Sequence, residues 1–487
     1  MADERLKVLF ASPEAVPFAK TGGLADVAGA LPAALAAQGA DVTLIMPFYR
    51  QTMEKGLELT EVEIDASVGL GPRELDVRVL EYGHRGVRVL FIRRDEFYDR
   101  GSLYGTPDGD YFDNLERFVF FSRAVVETAR ALGLRPDIFH LNDWQTGLVP
   151  AFLKDSGGSD FPGAATVFTI HNIAYQGLFP PSLFHLTGLD AGFFHPDRLE
   201  FWGRLNLLKG GIVLSDAVTT VSEAYSREIQ TEEFGCGLEG VLRARSKDLY
   251  GVLNGVDYSV WDPSNDEKIA ARYSASDLSG KEKCKADLLG EYAIDAPLET
   301  PLIGIISRLT DQKGFDILAE AMDELMAMEL AMVVLGTGER RYQELFTELA
   351  SRHRGRLGVK IAYDDTLAHK IEAGCDMFLM PSRYEPCGLN QIYSLRYGTI
   401  PIVRATGGLD DTIRDYDTGA GNGFKFTDYT ARALVEKVKE AIWVYGYKEA
   451  WRELQARAMR EDFSWERSAA RYMEIYRRTL AGKKALS

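Results

Sequence analysis

Four cysteines in 487 residues leave little room for disulfide or metal chemistry. Cys236, Cys284, Cys375 and Cys387 show no short paired spacing of the kind that builds a zinc or redox motif. A reduced, cytoplasmic setting is therefore expected. No run of Lys and Arg stands out against a net charge of −16, so nucleic acid is not expected as a partner. Long apolar runs are missing too. Ala331–Leu335 is strand-sized, and comparable stretches are cut by charges or glycines well short of a membrane span. The start, Met1-Ala-Asp-Glu-Arg-Leu-Lys7, turns almost at once into a strand and reads as neither signal nor transit peptide. No His, Cys, Asp and Glu cluster has metal-ligand spacing, so neither metal nor cofactor is expected.

What is there describes a globular chain, 46% apolar, 11% aromatic and 26% charged, and too long for one core. Two domains, or three, are the expectation. A strand over 6–11 is followed by Lys20-Thr-Gly-Gly-Leu24, a helix from about 24 to 38 and a strand over 41–46. That is the strand–helix–strand grammar of a parallel sheet. Two adjacent glycines and a lysine before a helix start suit a phosphate, since backbone can approach closely, N–H groups are unpaired and a full charge stands by. The same pair also makes tight turns with no ligand. Alternation over 61–94 around Gly83-His84-Arg85-Gly86 predicts an antiparallel hairpin inserted into the sheet or added to its edge.

A loop over 103–110 leads to a helix over 114–132 and a strand over 138–141 that delivers Asn142-Asp143-Trp144 to its C-terminal end. Open parallel sheets place ligand-binding residues there. Asp143 reads equally well as an N-cap for a helix over 146–153. The strand over 165–170 brings His171-Asn172 to the same edge. Phe179, Phe184, Phe193, Phe194, Phe201 and Trp202 form an aromatic-rich region suited to core or to stacking on sugars. After a strand over 217–221, Leu253-Asn254-Gly255 makes a turn and a polar stretch begins, where a domain boundary is expected.

The second half restarts the grammar, with strands near 302–306, 331–335, 359–362, 377–380 and 401–403 alternating with helices. The expected fold is α/β, two doubly wound Rossmann-like domains facing across a cleft, with final helices that cross back onto the first domain. Strand ends again carry chemistry. They supply Arg308 with Lys313, Gly336-Thr-Gly338, Tyr363, Glu385 before Cys387-Gly388-Leu389, and Thr406-Gly-Gly-Leu-Asp-Asp411, an echo of residues 21–26. Cations around a diphosphate would stabilise a departing nucleotide as charge develops, so group transfer from an activated nucleotide is the chemistry suggested.

Lys20-Thr-Gly-Gly-Leu24, Tyr98-Asp-Arg with Leu103-Tyr-Gly105, Asp143-Trp144, His171-Asn-Ile-Ala-Tyr-Gln-Gly177, Leu253-Asn-Gly-Val-Asp257, Ser307-Arg-Leu with Gln312-Lys-Gly314, and Pro381-Ser-Arg-Tyr-Glu-Pro-Cys-Gly-Leu389 together resemble the bacterial glycogen synthase and plant starch synthase family over nearly the whole chain. The resemblance implies a GT-B glycosyltransferase, with an acceptor-side domain over 1–250, a nucleotide-sugar domain over 251–460 and a returning helix over 461–487. It implies ADP-glucose as donor, an α-1,4-glucan such as glycogen as acceptor, retention of configuration and release of ADP. By the same resemblance, Lys20, His171, Arg308, Lys313 and Glu385 form the catalytic set. Lys20 with Gly22 and Gly23 lies near the donor phosphates and sugar, Arg308 and Lys313 lie on the diphosphate, and Tyr363 lies against adenine. Asp143, His171, Asn254 and Glu385 surround the glucose, and the Cys387, Gly388 and Leu389 backbone binds hydroxyls or phosphate. A hinge near Asn254 is expected to close on the donor.

Two departures from the wider pattern stand out. Tyr393 occupies the place of a second glutamate eight residues after Glu385, as in bacterial glycogen synthases, which argues against a UDP-sugar enzyme that grips ribose there. Where many members read His-x-His-Asp-Trp-His, this chain has His140-Leu-Asn142-Asp-Trp-Gln145. Alternatives remain open at this point: a retaining glucosyltransferase using UDP-glucose, a catalytically idle glucan-binding protein, and a glucan phosphorylase, which length and the nucleotide-site motifs disfavour. A homo-oligomer is open as well.

Overall fold

The structure, a computed structural model, describes residues 5–106, 109–156 and 160–486. Residues 1–4, on which the reading of the chain's start rests, and 107–108 of the 103–110 loop lie outside them. Two compact units divide the chain. Unit 1 comprises the described residues of Met1–Val221, Ser226–Gly255 and Trp465–Ser487, and unit 2 comprises Ser222–Tyr225 and Val256–Ser464.

In unit 1, nine strands among the described residues form one sheet: β1 Lys7–Ala11, β2 Asp41–Pro47, β3 Thr60–Val62, β4 Arg78–His84, β5 Val87–Arg93, β6 Ile138–Asn142, β7 Ala165–Ile170, β8 Ala217–Thr220 and β9 Leu249–Gly251. Their order is β9-β8-β7-β6-β1-β2-β5-β4-β3. The first seven in that order are parallel, and β4 and β3 extend the sheet as antiparallel strands. The β4–β5 pair is the hairpin read from alternation, and it lies one strand in from the edge, which β3 forms. The central strands are buried on both faces, which is why they read as continuous apolar runs and not as alternating ones. Helices α1 Gly23–Ala37, α2 Asn114–Ala131, α3 Val149–Asp155 and α4 Leu207–Leu214 flank it.

The C-terminal helix, Trp465–Leu486, packs on α1 within unit 1. It is tied there by polar contacts as well as by packing. The Tyr476 hydroxyl lies 2.5 Å from His140 Nδ1, whose Nε2 lies 2.7 Å from Thr169 Oγ1. Ser468 Oγ donates to the Leu253 carbonyl at 2.6 Å. A Cβ on Gly255 would lie 2.6 Å from the Trp465 backbone, so the glycine of the Asn254-Gly255 turn is required for this close approach.

In unit 2, six parallel strands run in the order β12-β11-β10-β13-β14-β15, where β10 is Leu302–Ile306, β11 Ala331–Leu335, β12 Leu357–Lys360, β13 Met377–Met380, β14 Ile400–Arg404 and β15 Phe424–Phe426. Alternate residues serve two apolar layers. Ile303, Ile305, Met332 and Val334 face one, and Leu302, Val333 and Phe378 face the other. Each such side chain contributes about 1.5–3 kcal/mol of burial.

Several elements differ from the sequence reading, among them the following. β15 adds a sixth strand, helix Ser279–Glu291 precedes the sheet, and β12 ends at Lys360, so Tyr363 stands beyond the strand and is 81% exposed. The helix hid because Lys281 and Lys285 occupy its buried side. Lys281 Nζ donates to the Ala373 and Tyr397 carbonyls at 2.9 and 3.1 Å, and Lys285 Nζ to Asp376 Oδ2 at 2.6 Å. Among the described residues, no helix is long and apolar enough to cross a membrane.

Candidate active site

In unit 2 the ends of β10 and β13 bring their chemistry together. Lys313 Nζ donates to Glu385 Oε2, and Ser382 Oγ reaches the same oxygen at 3.2 Å. Glu385 is 5% exposed, so its charge has an ammonium partner where water is scarce. The loops bearing the two residues are stitched by backbone. Arg383 N donates to the Gln312 carbonyl at 2.9 Å, and Gly314, at φ +78°, passes so close to Pro381 that a Cβ would lie 2.1 Å from its carbonyl oxygen. Arg308 is exposed beside them, its Nη2 donating to Gln312 Oε1 at 3.2 Å. Cys387, Gly388 and Leu389 lead into helix α5, Asn390–Arg396, which Asn390 Nδ2 anchors to the Ile306 carbonyl at 2.9 Å.

The two Thr-Gly-Gly-Leu segments look alike in sequence and differ in space. Gly407 and Gly408 open helix α6, Gly407–Thr412, and a Cβ on either would lie 2.0 Å from the Glu385 or Cys387 carbonyl oxygen, respectively. Gly408 N also donates to the Glu385 carbonyl at 3.1 Å. That pair exists so the Glu385 loop can lie directly on a helix start. Gly336 and Gly338 likewise admit the Ser307 and Leu309 carbonyls. At Gly22 and Gly23 an added Cβ would meet nothing within 4 Å, and neither has positive φ. Chain packing does not ask for glycine there.

In unit 1 the loop holding those glycines rests on a buried carboxylate. Glu14 Oε2 accepts from Thr21 N at 2.5 Å and from Thr21 Oγ1 at 3.0 Å. Lys20 Nζ donates to Asp26 Oδ1 at 2.7 Å, and its backbone N–H donates to Gln51 Oε1 at 3.1 Å. Burial pushes the Glu14 carboxyl up to about 7, with the Asp26 charge adding and the Thr21 and Gly22 hydrogen bonds opposing. At the ends of β6 and β7, Asp143 Oδ1 accepts from His171 N at 2.8 Å. Burial raises Asp143 to about 7 as well, opposed by the His171 N–H and reinforced by the Glu14 charge.

Asp143 caps no helix with its side chain. Its backbone, at φ 55° and ψ 179°, is a conformation that costs about 1–3 kcal/mol for a non-glycine residue. His171 Nε2 lies 2.9 Å from Asn142 Oδ1, while Asn142 Nδ2 donates to the Ala11 carbonyl at 3.0 Å. Since that amide's nitrogen faces a carbonyl, its oxygen faces the ring, so His171 carries its proton on Nε2 and keeps Nδ1 as acceptor. Burial lowers the ring's pKa to about 3, so it is neutral at pH 7.

Residues 7–244 match the family described as "Starch synthase catalytic domain", and residues 293–455 match "Glycosyl transferases group 1". A protein named glycogen synthase from Koribacter versatilis is 49% identical over 476 residues, 97% of this chain and 98% of that protein. The chain belongs to the glycogen synthase family. A second glycogen synthase, from Geotalea uraniireducens, is 45% identical over 98% of this chain and all of that protein. The catalytic domain of starch synthase IV from Arabidopsis thaliana, solved with ADP and acarbose, superposes with a TM-score of 0.89 at 33% identity, covering 98% of this chain and 100% of that one. Sucrose-phosphate synthase from Thermosynechococcus elongatus, with a TM-score of 0.62 at 17% identity, shares the fold.

For a glycogen synthase family member, the remaining site residues fall as follows. Asn254 is buried after β9, and its Oδ1 has no hydrogen-bond partner among the described residues. Tyr363, by contrast, projects into solvent. Tyr393, in the place of the wider pattern's second glutamate, is buried and stacked 3.9 Å from Trp261, whose ring also stacks 3.7 Å from His369. Asn142, in the place of a histidine, orients His171.

Glu14 is the residue that sequence reading missed. Its signal was a lone acid in Ser12-Pro13-Glu14, between β1 and a loop otherwise read for its cation. The Tyr98 and Leu103 motif organises around a fully buried Arg117, which donates to the Phe97 and Leu103 carbonyls at 2.8 Å while Tyr98 Oη donates to the Arg117 carbonyl at 3.0 Å. Of the aromatic group, Phe193 is core and Trp202 is 84% exposed.

Proposed function

We propose that this chain is a glycogen synthase that transfers glucose from ADP-glucose to the non-reducing end of an α-1,4-glucan, with retention of configuration and release of ADP. The observation that carries the reading is the Lys313–Glu385 pair with Arg308 beside it, on a chain whose full-length relatives are named glycogen synthase and whose 33% identical structural relative was solved with ADP and acarbose. As the bond from glucose C1 to the β-phosphate oxygen lengthens, negative charge gathers on the departing ADP, and the bond from C1 to the acceptor 4-oxygen forms as its proton passes to the departing phosphate. Arg308 and Lys313 meet the growing charge on ADP. An ammonium has three donors, so Lys313 can hold Glu385 and a phosphoryl oxygen at once. Stabilisation that is stronger in the transition state than in the bound donor is what raises turnover.

Glu385 is assigned to the sugar hydroxyls, and the backbone of Cys387, Gly388 and Leu389 to hydroxyls or phosphate. Tyr363 is assigned to adenine. From unit 1, Lys20, Gly22 and Gly23 are assigned to donor phosphate and sugar. Asp143, His171 and Asn254 are assigned to the glucose. The open space at Gly22 and Gly23 supports close approach of a ligand. A neutral His171 that donates through Nε2 to Asn142 offers Nδ1 to a hydroxyl. Four cysteines, none of them joined in a disulfide, fit a reduced compartment, and the cytoplasm is the proposed location.

Glucose incorporation and ADP release, measured with ADP-glucose and a glycogen primer, test the reading. Lys20→Ala, Arg308→Ala and Lys313→Ala are each expected to lower turnover by about 10²–10³, the loss seen when one donor to a developing anion is removed. Lys20→Ala should lower turnover more than it weakens binding of free ADP. Unchanged turnover in all three variants, or faster incorporation from UDP-glucose, would overturn it.

A further inference from the structure

Unit 1 contains a cavity of about 330 Å³ at the edge of the sheet away from the candidate active site. Its placement follows from the strands. Phe139 lies near the start of β6, Thr166 near the start of β7 and Asp216 just before β8, whereas Asp143 and His171 follow the other ends of β6 and β7. The volume is at the small end of ligand pockets, which run from about 300 to 1,000 Å³.

Much of the wall is apolar, with hydroxyls from Ser156 and Thr166. Phe139 and Phe161 meet edge to face with ring centroids 5.1 Å apart, and Leu153 and Leu214 close the sides. Three charged side chains complete the lining, and two of them satisfy each other. Asp216 Oδ2 accepts from Thr166 N at 2.7 Å, Thr166 Oγ1 at 2.9 Å and Lys483 Nζ at 3.0 Å. The third, Lys154, has no hydrogen-bond or ion-pair partner among the described residues. Arg245, close enough to influence it, donates to the Ile212 and Ser215 carbonyls at the end of α4, which cancels the partial negative charge of that terminus. Although Lys154 is an exposed residue, burial of its ammonium still lowers its pKa, opposed by Asp216 and aided by Lys483, Arg245 and Arg198.

We propose that this cavity binds a small organic anion with a flat apolar body. A cation would have to displace Lys483 or Thr166 from Asp216, whereas an anion meets Lys154 without breaking a contact. The rings and aliphatic walls offer little to a wholly polar ligand such as a free sugar phosphate, and they suit an aryl phosphate or aromatic carboxylate. The site is separate from the donor and acceptor roles proposed above and does not depend on them.

Titration of the full chain with 1-naphthyl phosphate, followed by naphthyl fluorescence in the presence of saturating ADP, tests the proposal. Saturable one-to-one binding is expected, weakened at least tenfold by Lys154→Gln and largely restored by Lys154→Arg. Inorganic phosphate and neutral 1-naphthol should each bind at least tenfold more weakly than the combined probe. The thermal midpoints of both variants should stay at the wild-type value, which separates loss of binding from loss of folding. Absence of saturable binding, equal affinity in Lys154→Gln, or equal affinity for inorganic phosphate alone would overturn it.

Discussion

Replacing Glu14 by Gln should make the protein more stable at alkaline pH and leave it nearly unchanged in acid. The carboxyl lies beneath the Thr21-Gly22-Gly23 turn, and its pKa is raised from an ordinary 4.5 to about 7, mainly by burial. Facing it are Asp26 from α1, Asp143 from the end of β6, and the hydroxyls of Tyr49 and Tyr104. An acid whose pKa is higher folded than unfolded binds more protons in the folded state between the two values, so stability falls as pH rises from 4.5 through 7. At about 1.4 kcal/mol per pH unit, the span from 4.5 to about 7 is worth about 3 kcal/mol above pH 8 and about 1 kcal/mol at pH 5. Gln keeps an acceptor for Thr21 N and cannot ionise, so it behaves as the protonated acid at every pH.

The variant should therefore gain about 2 kcal/mol over wild type between pH 5 and pH 8.5, which for a unit of this size raises its melting temperature relative to wild type by about 4–8 °C. Differential scanning fluorimetry of both proteins at the two pH values reads the effect. A melting-temperature difference that is the same at pH 5 and pH 8.5 would refute the claim that Glu14 is folded with a raised pKa.

Other outcomes follow from the same geometry. Gly408→Ala should destabilise the chain by several kcal/mol, because a Cβ there lies 2.0 Å from a backbone oxygen, whereas Gly22→Ala should leave the melting temperature unchanged and still impair turnover. Melting curves set beside glucose incorporation would expose any reversal of that order. Tyr363→Ala, at an 81% exposed position, should leave stability untouched and raise the KM for ADP-glucose several-fold with little change in kcat; an unaltered KM would remove the residue from the adenine site. Lys281→Met loses the hydrogen bonds to the Ala373 and Tyr397 carbonyls at every pH, and its stability relative to wild type should be higher at pH 7 than at pH 10, since burial lowers that ammonium to about 8 and wild-type stability therefore rises with pH between about 8 and 10.5. Urea titrations at pH 7 and 10 would show an equal effect if the lysine were not desolvated.

Much of this molecule could be read from its residues because buried parallel strands announce themselves. β6, β7, β10 and β13 are apolar runs followed at once by polar residues, so within unit 1 the sheet edge holding Asp143 and His171, and within unit 2 the one holding Lys313 and Glu385, are legible in the sequence. Helix Ser279–Glu291 escaped for the opposite reason. Lys281 and Lys285 turn inward to cap carbonyls and pair with Asp376, which breaks the apolar period on which helix reading depends.

Glycine pairs carry a different ambiguity. Residues 21–24 and 406–409 share the same four letters, yet one pair admits neighbouring backbone and the other faces open space, a distinction that only three-dimensional neighbours supply. Glu14 was invisible because a single acid between a strand and a loop has no spacing to recognise. Its importance comes from burial and from Thr21, seven residues away.

The C-terminal helix has a consequence for how the chain is made. Unit 1 is discontinuous, with all of Val256–Ser464 synthesised between Gly255 and Trp465. At about 5–20 residues per second, that interval lasts roughly 10–40 s. Throughout it, His140 lacks Tyr476, α1 lacks the helix that covers it, and the turn at Asn254-Gly255 has nothing to rest against. Unit 2 can complete its sheet during translation, while unit 1 must wait as an open half-built layer for the last segment to emerge. The ribosome thus delivers the two halves of this enzyme out of order, and the first to be started is the last to be finished.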